Sequence, residues 1–377
     1  MKGNIAIPFP LVWPFSDIIG PRQRTLPLPG RADEIMVPSV EDFSKCVIMA
    51  DRHGRAQKFG TEEIFAKGLN VYKDWFCSAG KDNIYVDGDG HVFVGSCGVS
   101  GIIGNVFKGR NAIRTKWIKC TRPTCMCGSD MMLAKSKSED LIPFTEAMRP
   151  DNVNYADGPP AEFEAATRIW EWDRQCNLNW DLSKRCNYAC SYCAPKTSNT
   201  TDRFRTWEEL KGAYDEIERF FLQGRRAKFV FTGGEPTLNP SYLDLVKLAS
   251  SHGHYIHTQT NGSRTPDYYS DLLHHSYIGF SVHLEFMKRE RLYKVFEAVF
   301  KTKAANDALK WNWLGVRVMA GPGRVDEAIQ IKKEISSLTG ADAQLNQLVV
   351  APLYDVETAT MMMKYPADEL ERLNRHI

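Results

Sequence analysis

Between positions 178 and 350 the sequence alternates between short apolar runs and longer amphipathic stretches, a rhythm that few folds satisfy. The apolar runs fall at 178–182, 228–232, 255–260, 278–284, 313–319 and 345–350. The clearest intervening helix opens at Thr206-Trp-Glu-Glu209, a capping box in which hydroxyl and carboxylate exchange bonds with the first turn. Trp207, Leu210, Tyr214, Ile217 and Phe221 then share one face, and Gly224 reads as the stop. Pro240 and Pro266 each read as sitting just inside a further helix, where a missing N–H costs nothing. More helices are expected over 290–304 and 325–338. Strands alternating with helices require a parallel sheet with right-handed crossovers. About 200 residues is short for an eight-unit barrel, so the pattern predicts an open, six-unit one.

The loop after the first of these strands carries Cys186-Asn-Tyr-Ala-Cys190-Ser-Tyr-Cys193. Three thiolates so closely spaced can ligate three irons of a cubane, and with no fourth cysteine nearby one iron stays open to a small molecule. A zinc site would want a fourth Cys or His and more often shows paired cysteines two residues apart. Gly233-Gly234-Glu235-Pro236 follows the second strand, where glycines let backbone come close to a ligand and a carboxylate suits an ammonium. Thr260 and Asn261 end the third strand; Ser281 and His283 alternate along the fourth and so share a face, and Arg317 lies on the fifth.

The three-cysteine loop, with the aromatic Tyr192 before its last cysteine, resembles the signature of the radical S-adenosylmethionine (radical SAM) superfamily. Gly233–Pro236 resembles the GGEP motif of that superfamily at the expected place. The resemblance implies a [4Fe-4S] cluster on Cys186, Cys190 and Cys193, with SAM on the open iron. It implies reductive cleavage of SAM to methionine and a 5′-deoxyadenosyl radical that abstracts a substrate hydrogen. It further implies that Tyr192, Gly233, Gly234, Glu235, Pro236, Thr260, Asn261, Ser281, His283 and Arg317 bind this cofactor. The last apolar run would face the adenine.

A second group, Cys77, Cys97, Cys120, Cys125 and Cys127, flanks a hairpin signal at Asp87-Gly88-Asp89-Gly90. It resembles the auxiliary-cluster domains called SPASM and twitch, although here it precedes the barrel. Four of these five would hold a second [4Fe-4S] cluster, with Cys77, Cys97, Cys125 and Cys127 the favoured set; a zinc ribbon is the alternative. Cys46 and Cys176 stand apart and read as inert thiols. The expected organisation is a Pro-rich irregular segment over 1–70, a smaller cysteine-rich α+β domain over 71–160 and the barrel over 166–377, with the boundary near the Pro-, Asp- and Gly-rich 148–165.

Residues 101–150 carry nine Lys and Arg against four Asp and Glu, yet the chain's net charge is only +2, which does not point to direct nucleic-acid binding. Prolines interrupt the apolar start, no apolar stretch is long enough to span a membrane, and clustered cysteines suit a reducing compartment, so a cytoplasmic protein is expected. The expected partners are a small-molecule, nucleotide or peptide substrate and a low-potential electron donor such as flavodoxin or ferredoxin. Modification of a small molecule or nucleotide leads; peptide or protein maturation, and a non-catalytic iron–sulfur or zinc protein that senses redox state or binds nucleic acid, are the alternatives. His252, His254 and His257 read as packing residues that do not converge, and Met361–Met363 as core.

Overall fold

The computed structural model of the chain describes residues 46–60, 64, 67–109, 111–112, 116–125, 128–131, 133–149, 152–155, 162–168, 176–193, 202–309, 312, 314–339, 346–352 and 366–374. The Met361–Met363 run and Cys127 lie outside them.

The N-terminal strands are β1 (Cys46–Ala50), β2 (Arg55–Gly60), β3 (Phe76–Cys77), β4 (Asn83–Val86), β5 (His91–Phe93), β6 (Ile102–Asn105) and β7 (Ile118–Lys119). The short helix α1 (Gly128–Met131), β8 (Lys135–Ser136), α2 (Ile142–Ala147), β9 (Asn154–Tyr155) and β10 (Ala165–Arg168) follow. One sheet has the order β7-β3-β8-β10-β1-β2-β9. Its β1–β2 hairpin falls where the Pro-rich sequence predicts mostly irregular chain. The turn is fixed by Asp51, whose carboxylate accepts from the backbone N–H groups of His53 and Arg55.

The second half contributes β11 (Cys176–Asp181), α3 (Trp207–Ile217), β12 (Ala227–Thr232), α4 (Tyr242–Ser251), β13 (Tyr255–Thr260), α5 (Pro266–Leu273), β14 (Tyr277–His283), α6 (Arg289–Ala305), β15 (Leu314–Ala320), α7 (Val325–Thr339), β16 (Asn346–Pro352) and α8 (Ala367–Asn374). Strands β11 to β16 pair in sequence order and in parallel, the open partial barrel that the alternation predicts. On its far edge β4 adds in parallel to β11, and β5 and β6 continue antiparallel. The hairpin bearing Asp87 to Gly90 therefore extends the barrel sheet itself.

Alternation decides which side chains meet. Leu178, Trp180, Phe229, Phe231, Ile278, Phe280, Val316 and Val318 join Tyr214, Leu245, Tyr269, Phe296 and Ile331 of the helices in one buried core. The opposite face carries Asn177, Asn179 and Asp181 on β11, His257 and Gln259 on β13 and Arg317 on β15, all buried. The Thr206 capping box forms as read, with Glu209 N–H donating to Thr206 Oγ1 at 3.3 Å and Thr206 N–H donating to Glu209 Oε2 at 2.9 Å. Helix α3 then widens into a π turn over Glu218–Leu222, which allows Phe220, Phe221 and Leu222 to be buried in succession. Gln223 takes the first left-handed position, φ 51°, just before Gly224. Pro266 opens α5 as expected, but Ser241 is the N-cap of α4, so Pro240 lies outside that helix. Among the described residues no helix is long and apolar enough to cross a membrane.

Candidate active site at the barrel mouth

The ends of β12, β13 and β14 each contribute a bond or packing contact to the loop that carries Cys186, Cys190 and Cys193. Gly234 N–H donates to Ser183 O at 2.9 Å and Glu235 N–H to Arg185 O at 2.8 Å. A Cβ on Gly234 would stand 2.2 Å from Arg185 O, and one on Gly233, at φ 117°, would stand 2.5 Å from Ser183 O. The two glycines thus serve close approach, as read, but what they approach is the backbone leading into the cysteine loop. Further along, Asn261 Nδ2 donates to Asn187 Oδ1 at 2.9 Å and lies 3.8 Å from Cys186 Sγ. Glu285 accepts from Ser191 N–H at 2.7 Å and from its hydroxyl at 2.5 Å. Tyr192 stacks on His283 with ring centroids 5.8 Å apart, and its hydroxyl lies 2.7 Å from His283 Nδ1.

Electrostatics follow from burial. Desolvation pushes Cys186 up to about 11 and Cys190 up to about 12, so thiolates here need a compensating cation. Among the described residues two clusters bring three donor atoms within 4.8 Å of one another, and these cysteines form neither of them. A cubane takes one thiolate on each of three irons and so asks for three cysteines on one loop. The half-buried thiols therefore fit an iron–sulfur cluster as its donor set. His283 is pushed down to about 4 by burial and is neutral at ordinary pH.

Glu235 is 2% exposed, and burial raises it above the ordinary carboxylate range. Its carboxylate accepts from Asn261 N–H at 2.6 Å, Thr260 Oγ1 at 2.8 Å, Thr237 N–H at 3.1 Å and Thr237 Oγ1 at 2.5 Å. The Thr260 hydroxyl is thereby committed to Glu235 and to Tyr269, whose hydroxyl lies 2.8 Å away. Ser281 is half-buried and pairs in register with Arg317, so the two share a face; Pro236 is buried under the turn. A cavity of about 230 Å³ opens beside Tyr192, lined also by Ser191, Glu285, Met319 and Arg324.

Three groups here are absent from the sequence reading. Asp181 ends β11, and burial pushes it up to about 7 while Tyr85 OH donates to its Oδ2 at 2.6 Å. Asn187 and Glu285 tether the cysteine loop. The only sequence signal for Asp181 and Glu285 is an acid at a strand end. His252 and His254 also depart from expectation: both reach Glu218, with His254 Nε2 2.6 Å and His252 Nδ1 3.5 Å from its Oε1, because the π turn brings Glu218 beside the end of α4. His254 Nδ1 accepts from Ala227 N–H, which leaves Nε2 as a donor to Glu218, a packing network and not a metal ligand set. His257 lies apart and bonds to Gln259 at 2.7 Å.

The second cysteine group gathers between the two sheets. Cys77 ends β3, Cys97 follows β5, Cys120 follows β7, and Cys125 hydrogen-bonds through its backbone with Asn70. Asp130 ties α1 to the edge of the barrel sheet, accepting from Cys97 N–H at 2.6 Å and from Asn83 Nδ2 at 2.7 Å. Burial raises both the Cys77 and the Cys97 thiol, Cys97 well above the ordinary range. Cys176 is fully buried in the main core, as an inert thiol would be.

Residues 180–332 match the model of the Radical SAM superfamily. The chain is 26% identical over 196 residues to Mycofactocin maturase MftC of Mycolicibacterium smegmatis, covering 50% of this chain and 42% of that protein. It is 31% identical over 193 residues to a Probable GTP 3',8-cyclase of Thermococcus kodakarensis, covering 48% and 60%. The chain thus spans about half the length of the curated relatives it matches. Among solved structures it is similar to Streptococcus suis SuiB bound to S-adenosylmethionine, at 15% identity and TM-score 0.39 over 53% of this chain and 46% of that one. The three cysteines, the GGEP turn and the parallel half-barrel converge on one mouth, within or beside the residues 180–332 that match the Radical SAM superfamily.

Proposed function

We propose that the chain is an enzyme that cleaves SAM reductively at this mouth and uses the product to abstract hydrogen from a bound substrate. The observation that carries the reading is the tethering of the cysteine loop to the GGEP turn and to Asn261, His283 and Glu285, which holds three cluster ligands in one place. Cys186, Cys190 and Cys193 would hold the cluster. When bound, a [4Fe-4S] cluster and SAM supply a 5′-deoxyadenosyl radical.

The residues of the chain bind, orient and exclude water. Gly233 to Pro236 set the distance between turn and loop, and Glu235 contributes negative potential that favours the SAM ammonium. Its oxygens are already bonded by Thr237, Thr260 and Asn261, so that contribution acts through space. Asn261, Ser281, His283 and Arg317 line the path to the SAM carboxylate and ribose, and the cavity beside Tyr192 offers room for the adenosyl part.

For the substrate, a polar small molecule or nucleotide fits best. The inner face of the half-barrel carries the polar side chains Asn179, Asp181, Gln259 and Arg317, which suit a polar substrate better than an apolar one. Peptide maturation is the second reading, favoured by the match to a protein named a maturase. A second cluster on Cys77, Cys97, Cys125 and either Cys120 or Cys127, residues 71–160 acting as the auxiliary unit, and a flavodoxin or ferredoxin as electron donor complete the proposal.

The test is anaerobic reconstitution with iron and sulfide, reduction with dithionite, and chromatography for 5′-deoxyadenosine. Wild type is expected to form it and Cys190→Ala to form none; a wild type that binds iron but yields no 5′-deoxyadenosine refutes the proposal.

A further inference from the structure

Lys135 is 2% exposed, and Cys77 is its direct partner across the antiparallel pair of β3 and β8. Its Nζ donates to Asp130 O at 2.6 Å, Met131 O at 2.9 Å and Leu133 O at 3.0 Å, which uses all three ammonium hydrogens on neutral carbonyls. The same Nζ stands 4.8 Å from the centroid of the Tyr72 ring, and Tyr72 packs in one cluster with Cys125 and Met131. A buried ammonium is costly unless an anion compensates it. Burial works against the charge, and Cys125 and Cys77 would favour it only as thiolates. The Asp130 carboxylate is turned to Cys97 N–H, Ser96 N–H and Asn83 Nδ2. As neutral thiols the cysteines leave Lys135 poorly compensated; as metal-bound thiolates they complement it.

We propose that Lys135 is the buried counter-cation of an iron–sulfur cluster held by Cys77, Cys97 and Cys125, and that its charge raises that cluster's reduction potential. The proposal rests on the auxiliary-cluster reading above. Reduction brings one electron from a low-potential reductant such as dithionite into the cluster, with no bond formed or broken, and adds one negative charge to an already anionic site. A fixed positive charge in a low-dielectric surrounding favours the reduced state. Lys135 touches no reacting group and acts only through the cluster.

The full chain carrying Cys186→Ala, Cys190→Ala and Cys193→Ala isolates the second site. In that background iron and sulfide are counted, and a dithionite titration followed by electron paramagnetic resonance gives the potential. Absence of iron there sinks the auxiliary-cluster reading, and this proposal with it. If iron is present, Lys135→Met and Lys135→Gln are each expected to shift the one-electron equilibrium at least tenfold toward the oxidised cluster. That is about 59 mV more negative. Lys135→Arg is expected to restore the wild-type value. Neutral variants that keep their iron at an unchanged potential overturn the proposal. Neutral variants that lose their iron while Lys135→Arg keeps it support the counter-cation role, because charge is then needed for assembly. Loss of iron in all three variants alike overturns it, because shape and not charge is then what matters.

Discussion

Replacing Gly234 by Ala tests how the cysteine loop is held. The added Cβ would stand 2.2 Å from Arg185 O, 2.5 Å from Arg185 C and 2.6 Å from Lys184 O, all backbone atoms that cannot rotate away. The turn must therefore lift from the loop and lose the bonds from Gly234 N–H to Ser183 O and from Glu235 N–H to Arg185 O. Overpacking costs about 1–3 kcal/mol. Two backbone bonds add roughly 1–3 kcal/mol together. A loss of about 2–6 kcal/mol in urea unfolding of the apo protein is expected. The large core around Phe229, Phe231 and Phe280 is untouched, so the variant folds at low temperature. Function should suffer more than stability, because displacing three cluster ligands by even about 1 Å spoils a preorganised site. Iron bound after reconstitution and 5′-deoxyadenosine formed per hour are the readouts, and both should fall at least tenfold. A Gly234→Ala protein that keeps wild-type iron content and turnover would show that the turn does not position the loop, and the reasoning would be wrong.

Two further outcomes follow from other parts of the structure. Asp181, pushed up to about 7, is favoured in its protonated form by the fold; its contribution is complete below the ordinary value of 3.8 and is lost as pH rises through about 7. Relative to wild type, Asp181→Asn should gain stability over that interval, by up to about 4 kcal/mol, and equal pH profiles in denaturant titrations would count against a buried carboxyl there. Thr206→Ala removes the cap that accepts from Glu209 N–H and should cost about 1 kcal/mol, measured as a lower urea midpoint with unchanged slope; no change would mean that α3 is held by packing alone.

The outline of the barrel was legible because each of its signals is local. Apolar alternation over β11 to β15, the Thr206 capping box and Pro266 at the start of α5 all act within a few residues of where they are read. The π turn and the true start of α4 were not legible, since burial of Phe220 to Leu222 and the turn at Asn239, whose Nδ2 donates to Arg205 O, involve neighbours on other elements.

The sequence by itself determined that six parallel strands would carry a three-cysteine loop and a GGEP turn to the same end of a sheet, because strand direction and loop position follow from chain order. Only the tertiary structure decided what those groups touch. It pressed Gly234 against Arg185, committed Glu235 to Thr260 and Asn261, set Tyr85 against Asp181 across 96 residues of sequence, and placed Lys135 among the second group of cysteines. Spacing can bring donors into reach, but a buried charge takes its value from neighbours that are remote in sequence, and those exist only once the sheets have assembled.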